Sequence, residues 1–235
     1  MTELFFDLKN FVLDTLFPLS CQLCGQDNIL VCANCLGALK LAEGQQCLDC
    51  NKPSLLGLTH QRCSRGHGAA GVISVFNYKD PKVAELVIAG KYKFLPEVYK
   101  ILSAVAVGRV KQLDLPNYWT DFVLCPLPLS RSRKRWRGFN QAEVICQALS
   151  ENFGWSVTHA LKRTRSTKTQ KDLDKTKRPD NVAGSFALAP GINVKNKNFL
   201  LVDDVVTTGA TLREAVKVLK RNGANQVWCL TLARD

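Results

Sequence analysis

The feature that most constrains this chain is the stretch 199-FLLVDDVVTTGATLREA-215. Four consecutive apolar residues without polar alternation suit a strand buried on both faces, an arrangement found chiefly in parallel sheets covered by helices. Asp203 and Asp204 follow side by side, then a small hydroxyl-rich loop. Leu212, Ala215, Val216 and Leu219 then recur at helical spacing, with Gly223 placed to stop the helix. A strand–loop–helix unit of this kind sets the acids at the carboxyl end of the sheet, where open α/β folds bind ligands. Successive strand residues face opposite sides, so the two carboxylates flank a ligand instead of converging on one atom.

The loop residues Val206, Thr207, Thr208, Gly209, Ala210 and Thr211 bring hydroxyl donors and a glycine for close backbone approach. The helix expected from about residue 211 turns its free N–H groups and positive dipole end toward them. Thr211 and Glu214 fit a capping box at its start. Carboxylates accept hydrogen bonds from vicinal hydroxyls and can hold a hydrated Mg²⁺. No G-K-[ST] sequence occurs, which excludes a Walker loop. The chemistry favours a ribose 5-phosphate, its diol on the acids and its phosphate in the loop.

From about residue 70 the chain alternates apolar strands (71–78, 121–128, 185–188, 199–202, 226–233) with amphipathic helices (81–93, 97–112, 139–152, 211–222). The expected fold is α/β, with a mostly parallel twisted sheet formed by residues 69–235. Residues 1–68 read as a separate small module. It opens with an amphipathic helix on which Leu4, Phe5, Leu8, Phe11, Val12 and Leu16 share a face.

Seven of the ten cysteines lie between residues 21 and 63. Cys21/Cys24, Cys32/Cys35 and Cys47/Cys50 are CxxC pairs, and Cys63 follows. Such knuckles supply two thiolates each to a tetrahedral zinc ion. At least one site is expected, one or two ions being left open, with the pairs joined either sequentially or crossed. The second site needs a fourth ligand, because Gly66 stands where another CxxC would end; His67 is the first choice and His60 the second. Cys125, Cys146 and Cys229 lie in strand or helix patterns and read as core.

No window approaches about 18 uncharged apolar residues. Glu3 and Asp7 stand where a secretory signal needs positive charge, so the chain reads as cytoplasmic. The net charge of +12 favours polyanionic partners. It is concentrated in segments 131–137 and 162–178, net +5 and +6.

The segment LLVDDVVTTGAT resembles the phosphoribosyl diphosphate (PRPP) motif of type I phosphoribosyltransferases, residue by residue. The resemblance implies that Asp203 and Asp204 hold the ribose hydroxyls, residues 206–211 cradle the 5-phosphate, and Mg²⁺ bridges the diphosphate. Hypoxanthine–guanine enzymes carry an aspartate where this chain has Thr207, which argues against 6-oxopurine salvage. Four features in order resemble the ComF family: the cysteine knuckles, Pro126–Pro128 followed by Arg137–Gln141 (RGFNQ), the segment carrying Thr164, Gln170 and Leu173, and the PRPP motif. That resemblance implies a role in natural competence and DNA uptake, with single-stranded DNA and a competence helicase as partners.

With a diphosphate expected, Arg137 and Gly138 become the first candidates to contact it, followed by Arg135, Asn140 and Lys91. Segment 164–180 has the aperiodic, basic character of a hood that closes over PRPP. The surplus charge suits a groove for single-stranded DNA, with Arg131, Arg133 and Arg135 on phosphates and Trp136 and Phe139 stacking on bases. Two readings result: Mg²⁺-dependent phosphoribosyl transfer, or a non-catalytic adaptor that keeps the PRPP pocket as a sensor.

Overall fold

The computed structural model describes residues 19–64, 68–164 and 182–235. The predicted N-terminal helix, most of the predicted hood and His67 lie outside them. In chain order the elements are α1 (Ala33–Gly37), β1 (Gln45–Gln46), β2 (Pro53–Ser54), β3 (Gly71–Asn77), α2 (Pro81–Tyr92), α3 (Pro96–Gln112), α4 (Leu115–Tyr118), β4 (Phe122–Pro126) and α5 (Arg131–Arg137). Then come α6 (Gln141–Phe153), β5 (Leu161–Arg163), β6 (Phe186–Leu188), β7 (Asn198–Val206), α7 (Ala210–Arg221) and β8 (Val227–Arg234).

The apolar strand runs pair as expected of parallel strands. The central sheet has the order β3-β8-β7-β4, every pairing parallel. All eight residues of β8 are buried, as the second strand from one edge must be when helices cover both faces. One face packs on α2, α3 and α6 through Leu86, Leu102, Ile145 and Leu149. The other packs on α7 and the β5–β6 hairpin through Leu161, Phe186, Leu212 and Leu219. Trp119 anchors the first face. It is fully buried, with Phe122, Trp155 and Trp228 at ring-centroid distances of 6.3, 6.1 and 5.7 Å.

The strand carrying the acids is longer than FLLV. It continues to Val206, because its backbone stays in register with β8 as far as Val206 opposite Arg234. The basic run 131–137, which lies outside the helices expected from the sequence, is a short helix capped by Ser130 Oγ, which accepts from Arg133 N at 3.3 Å. Strand β5 was not foreseen, since three residues of LKR carry no periodicity.

The cysteine-rich segment does not stand apart from the sheet. Leu41 bridges to Phe76 and Leu58 to Gly71 along β3. The Gln45 amide clasps Ser74, donating to its carbonyl at 3.0 Å and accepting from its N–H at 2.8 Å. Leu30, Val31 and Leu39 join one hydrophobic core and Leu48 the other. A chain boundary near residue 69 therefore separates sequence texture but not packing. No helix among the described residues is long and apolar enough to cross a membrane.

Candidate functional site

The two aspartates diverge, as strand geometry requires, and their surroundings differ. Asp204 is buried on the α2/α3 face. Its Oδ2 lies 2.7 Å from Lys91 Nζ and accepts a hydrogen bond from Tyr99 Oη at 2.9 Å. Burial is the largest single influence and opposes its ionisation, but the Lys91 ammonium, the Tyr99 hydroxyl and the charge of Arg137 together outweigh it and hold its carboxyl below the ordinary value. Asp203 is half-buried on the opposite face; among the described residues it has no salt bridge at contact distance, though the charges of Lys91 and Arg163 act on it. Burial first, then the charge of Asp204, push its carboxyl up to about 7. Asp203 is thus the acid left open to a ligand, and Asp204 the one that fixes Lys91 and Tyr99 in place. Lys91, a candidate for the diphosphate, is already engaged by a carboxylate. Tyr99 was not foreseen: it sits on an apolar helix face more than a hundred residues from its partner.

The loop after β7 begins with Val206 in the core; Thr207 and Thr208 are half-exposed. Gly209, at φ 75°, is the residue preceding α7, so the helix starts at Ala210. The expected capping box does not form. No side chain caps α7, and Glu214 instead accepts from Gly184 N at 2.7 Å, tying the loop before β6 to the helix. The first-turn N–H groups are thereby left to the loop side. Thr208 Oγ1 reaches one of them, Ala210 N, at 3.4 Å. An α-helix N-terminus at a parallel strand end is the ordinary cradle for a phosphate.

Of the other diphosphate candidates, Arg137 acts on the same acidic site. Its positive charge acts on both Asp204 and Tyr99, and its Nη1 donates to Gln141 Oε1 at 2.9 Å. Among the described residues, Arg137 Nε and Gln141 Nε2 are buried donors without an acceptor. Gln141 was quoted only as part of RGFNQ and belongs with the site. Asn140 does not. It is a buried cap of α6, with Nδ2 donating to Leu127 O at 3.0 Å and Oδ1 accepting from Ala142 N at 3.1 Å. Gly138 ends α5 at φ 79°, its N–H bonded to Lys134 O, and that left-handed geometry explains the glycine without a ligand.

The proposed stacking residues separate. Phe139 is half-buried against the core and against the Tyr99 ring at 6.0 Å, so it presents no free face. Trp136 is 52% exposed and meets Tyr92 and Phe94 edge-on at 5.7 and 4.9 Å. The result is a surface aromatic trio beside Arg131 and Arg135, which are exposed, and Arg133, which is half-exposed.

The cysteines gather sequentially. The thiols of Cys21, Cys24, Cys32 and Cys35 form one cluster; those of Cys47, Cys50 and Cys63 form a second with His60. Within each cluster the ligand atoms lie within 4.8 Å of one another. Knuckle amides point at sulfur: Cys32 N donates to Cys21 Sγ and Cys35 N to Cys32 Sγ, both at 3.4 Å. His60, the second choice for the fourth ligand, has Nδ1 3.2 Å from Cys50 Sγ, while Nε2 lies 3.1 Å from Pro53 O. A proton on Nε2 satisfies that carbonyl and leaves the Nδ1 lone pair facing the thiols, the usual outer-shell arrangement of a ligating histidine. Without a cation the thiols cannot ionise together. Hydrogen bonding to Cys32 pushes Cys35 up to about 12, and burial pushes Cys63 up to about 11. Both donor sets can hold a metal ion.

Residues 138–235 match the family described as phosphoribosyl transferase domain. The chain is 34% identical over 169 residues to DNA utilization protein YhgH of Escherichia coli K12, covering 68% of this chain and 70% of that one. It is 36% identical over 131 residues to competence protein F of Haemophilus influenzae, covering 54% of each. It is 28% identical over 213 residues to competence protein ComFC of Bacillus subtilis 168, covering 87% of this chain and 84% of that one.

Proposed function

The chain belongs to the ComF family of phosphoribosyltransferase-fold proteins, and we propose that its sheet mouth binds PRPP with Mg²⁺ and transfers the phosphoribosyl group to an acceptor during the use of imported DNA. The observation that carries this reading is the divergence of Asp203 and Asp204 beside the uncapped start of α7. Asp203 accepts hydrogen bonds from the ribose diol. The backbone of residues 207–211 receives the 5-phosphate. Arg137 and Gln141 offer their unpartnered donors to diphosphate oxygens. Asp203 would hold the Mg²⁺ that accompanies the diphosphate, and that ion would neutralise the leaving group. The two cysteine clusters hold structural zinc, which supplies folding energy to a segment with little core of its own.

Titration calorimetry with PRPP and Mg²⁺ on the wild type and on Asp203→Asn tests the site. Binding in the first and its loss in the second are expected; equal binding would remove the diol assignment. Release of pyrophosphate on adding nucleobases or DNA then separates transferase from sensor.

A second reading rests on the Tyr92–Trp136–Phe94 trio among cationic residues. In this reading the face of α5 binds single-stranded DNA, with or without catalysis at the mouth. Affinity there should fall steeply with salt and weaken on Trp136→Ala.

A further inference from the structure

The second cysteine cluster and the phosphate loop touch. Leu48, between the knuckle ligands Cys47 and Cys50, is fully buried in the core that also holds Val206, Leu212 and Ala215. A Cβ placed on Gly209 would lie 2.8 Å from Leu48 Cδ1 and 3.2 Å from Leu48 O. Arg213, one turn into α7, donates from Nη1 to Leu48 O at 2.7 Å. From the other side Arg234, at the end of β8, donates to Gln46 O at 3.1 Å, Cys47 O at 3.4 Å and Asn51 Oδ1 at 2.7 Å. The knuckle backbone is therefore gripped by two arginines of the sheet domain, and its one apolar side chain is wedged under the glycine that opens the helix.

We infer that Leu48 is a positioning residue for the phosphate loop, and that occupancy of the Cys47/Cys50/His60/Cys63 cluster sets the loop's order and so its affinity for a phosphate ester. The reasoning needs no long pathway. The turn Cys47–Cys50 is held in shape by its metal ligands, with Asn51 N donating to Cys47 O at 3.1 Å. Without the metal only the arginine contacts and the core are left to direct Leu48, and Gly209, whose φ of 75° has little intrinsic preference, rests on a looser surface. The first cluster has no such contact; its neighbours Leu23, Leu30 and Leu36 pack toward the α2/α3 face. Linkage then works in both directions: a ligand held by the ordered loop strengthens metal retention by the same factor.

The inference rests on the phosphate-loop reading for its ligand, but its test does not. Amide exchange over residues 206–212 should speed up about tenfold in full-length Cys63→Ser and stay as in wild type in Cys24→Ser, which breaks only the first cluster. Unchanged exchange in folded Cys63→Ser would overturn the coupling whatever the loop binds. If Cys63→Ser does not fold, Leu48→Ala keeps every metal ligand and decides the matter. It should hold as much metal as wild type while binding PRPP with Mg²⁺ about fivefold more weakly, the lower end of ordinary coupling between sites. Wild-type affinity in that variant would refute the role of Leu48. Should wild type itself show no PRPP binding, the PRPP reading fails, and exchange at 206–212 in Leu48→Ala still reports on the contact: acceleration supports it and identity with wild type refutes it.

Discussion

Replacing Lys91 by Met tests the most heavily built contact in the site. The 2.7 Å separation from Asp204 corresponds to a gross attraction of about 6 kcal/mol at an effective dielectric of about 20. Desolvation of two charges offsets much of that, and removing one partner of a buried pair typically costs about 3–5 kcal/mol. The side chains here are 20% and 12% exposed, and Tyr99 still donates to the stranded carboxylate, so about 2 kcal/mol is the reasoned loss. For a domain of this size that is a fall in Tm of roughly 4–8 °C. The pH dependence is the sharper part. Asp204 has a depressed carboxyl, so its contribution is present above the unfolded carboxylate range and disappears as pH falls through its own folded value. The difference between wild type and Lys91→Met should therefore be full near pH 7 and close in strong acid. The double variant Lys91→Met/Asp204→Asn should recover most of the loss. Thermal melts from pH 3 to 8 measure all three proteins. A Lys91→Met deficit that is independent of pH, or a double variant no better than the single, would show that the pair does not act as described.

Asp203 runs the other way. Its raised carboxyl means the folded protein keeps a proton that the unfolded chain has lost, so wild type should lose stability as pH climbs from the ordinary carboxylate range to about 7, and Asp203→Asn should be the more stable protein at pH 8. PRPP affinity should rise over the same interval in wild type as Asp203 ionises; titrations at pH 6 and 8, corrected for the ligand's own ionisation, read this. Asn140→Ala should lower stability by about 1 kcal/mol through loss of a cap while leaving PRPP affinity intact, because its polar atoms are spent within the fold. Trp119→Ala should cost about 3–5 kcal/mol, visible as a fall in the urea midpoint. Metal analysis of freshly purified protein should find about two zinc ions per chain, and about one in Cys63→Ser.

What could be read from the chain was whatever depends on neighbours in sequence. Buried parallel strands show as unbroken apolar runs, and β7 and β8 do so. CxxC knuckles show as pairs, and the candidate site shows because strand, acids, loop and helix are contiguous. Where a residue's partner is far away in sequence, local pattern misled or was silent. T-x-x-E at Thr211 is a valid capping signal, yet Glu214 is recruited by Gly184, thirty residues earlier. Lys91 looked like a free cation until the fold brought Asp204 beside it. The run RSRKRWR carries little helical periodicity, and its helix is set by Ser130 at one end and Gly138 at the other. That His60 lies on Cys50 shows only once the turn between them is folded.

The antiparallel bridges from Leu41 and Leu58 to β3 have a consequence for the protein's behaviour in solution. An open sheet ends in unpaired N–H and C=O groups, which template association with other chains. Here Ala42 N donates to Val75 O and Thr59 N to Ala70 O, so the cysteine-rich segment closes that margin of the sheet. At the opposite margin, Ser156 and Thr158 exchange hydrogen bonds with Leu124 of β4. One of the two guards is thus a segment that carries two donor sets able to hold metal. Stripping that metal should bare β3, and clumping that worsens with protein concentration should precede any global unfolding.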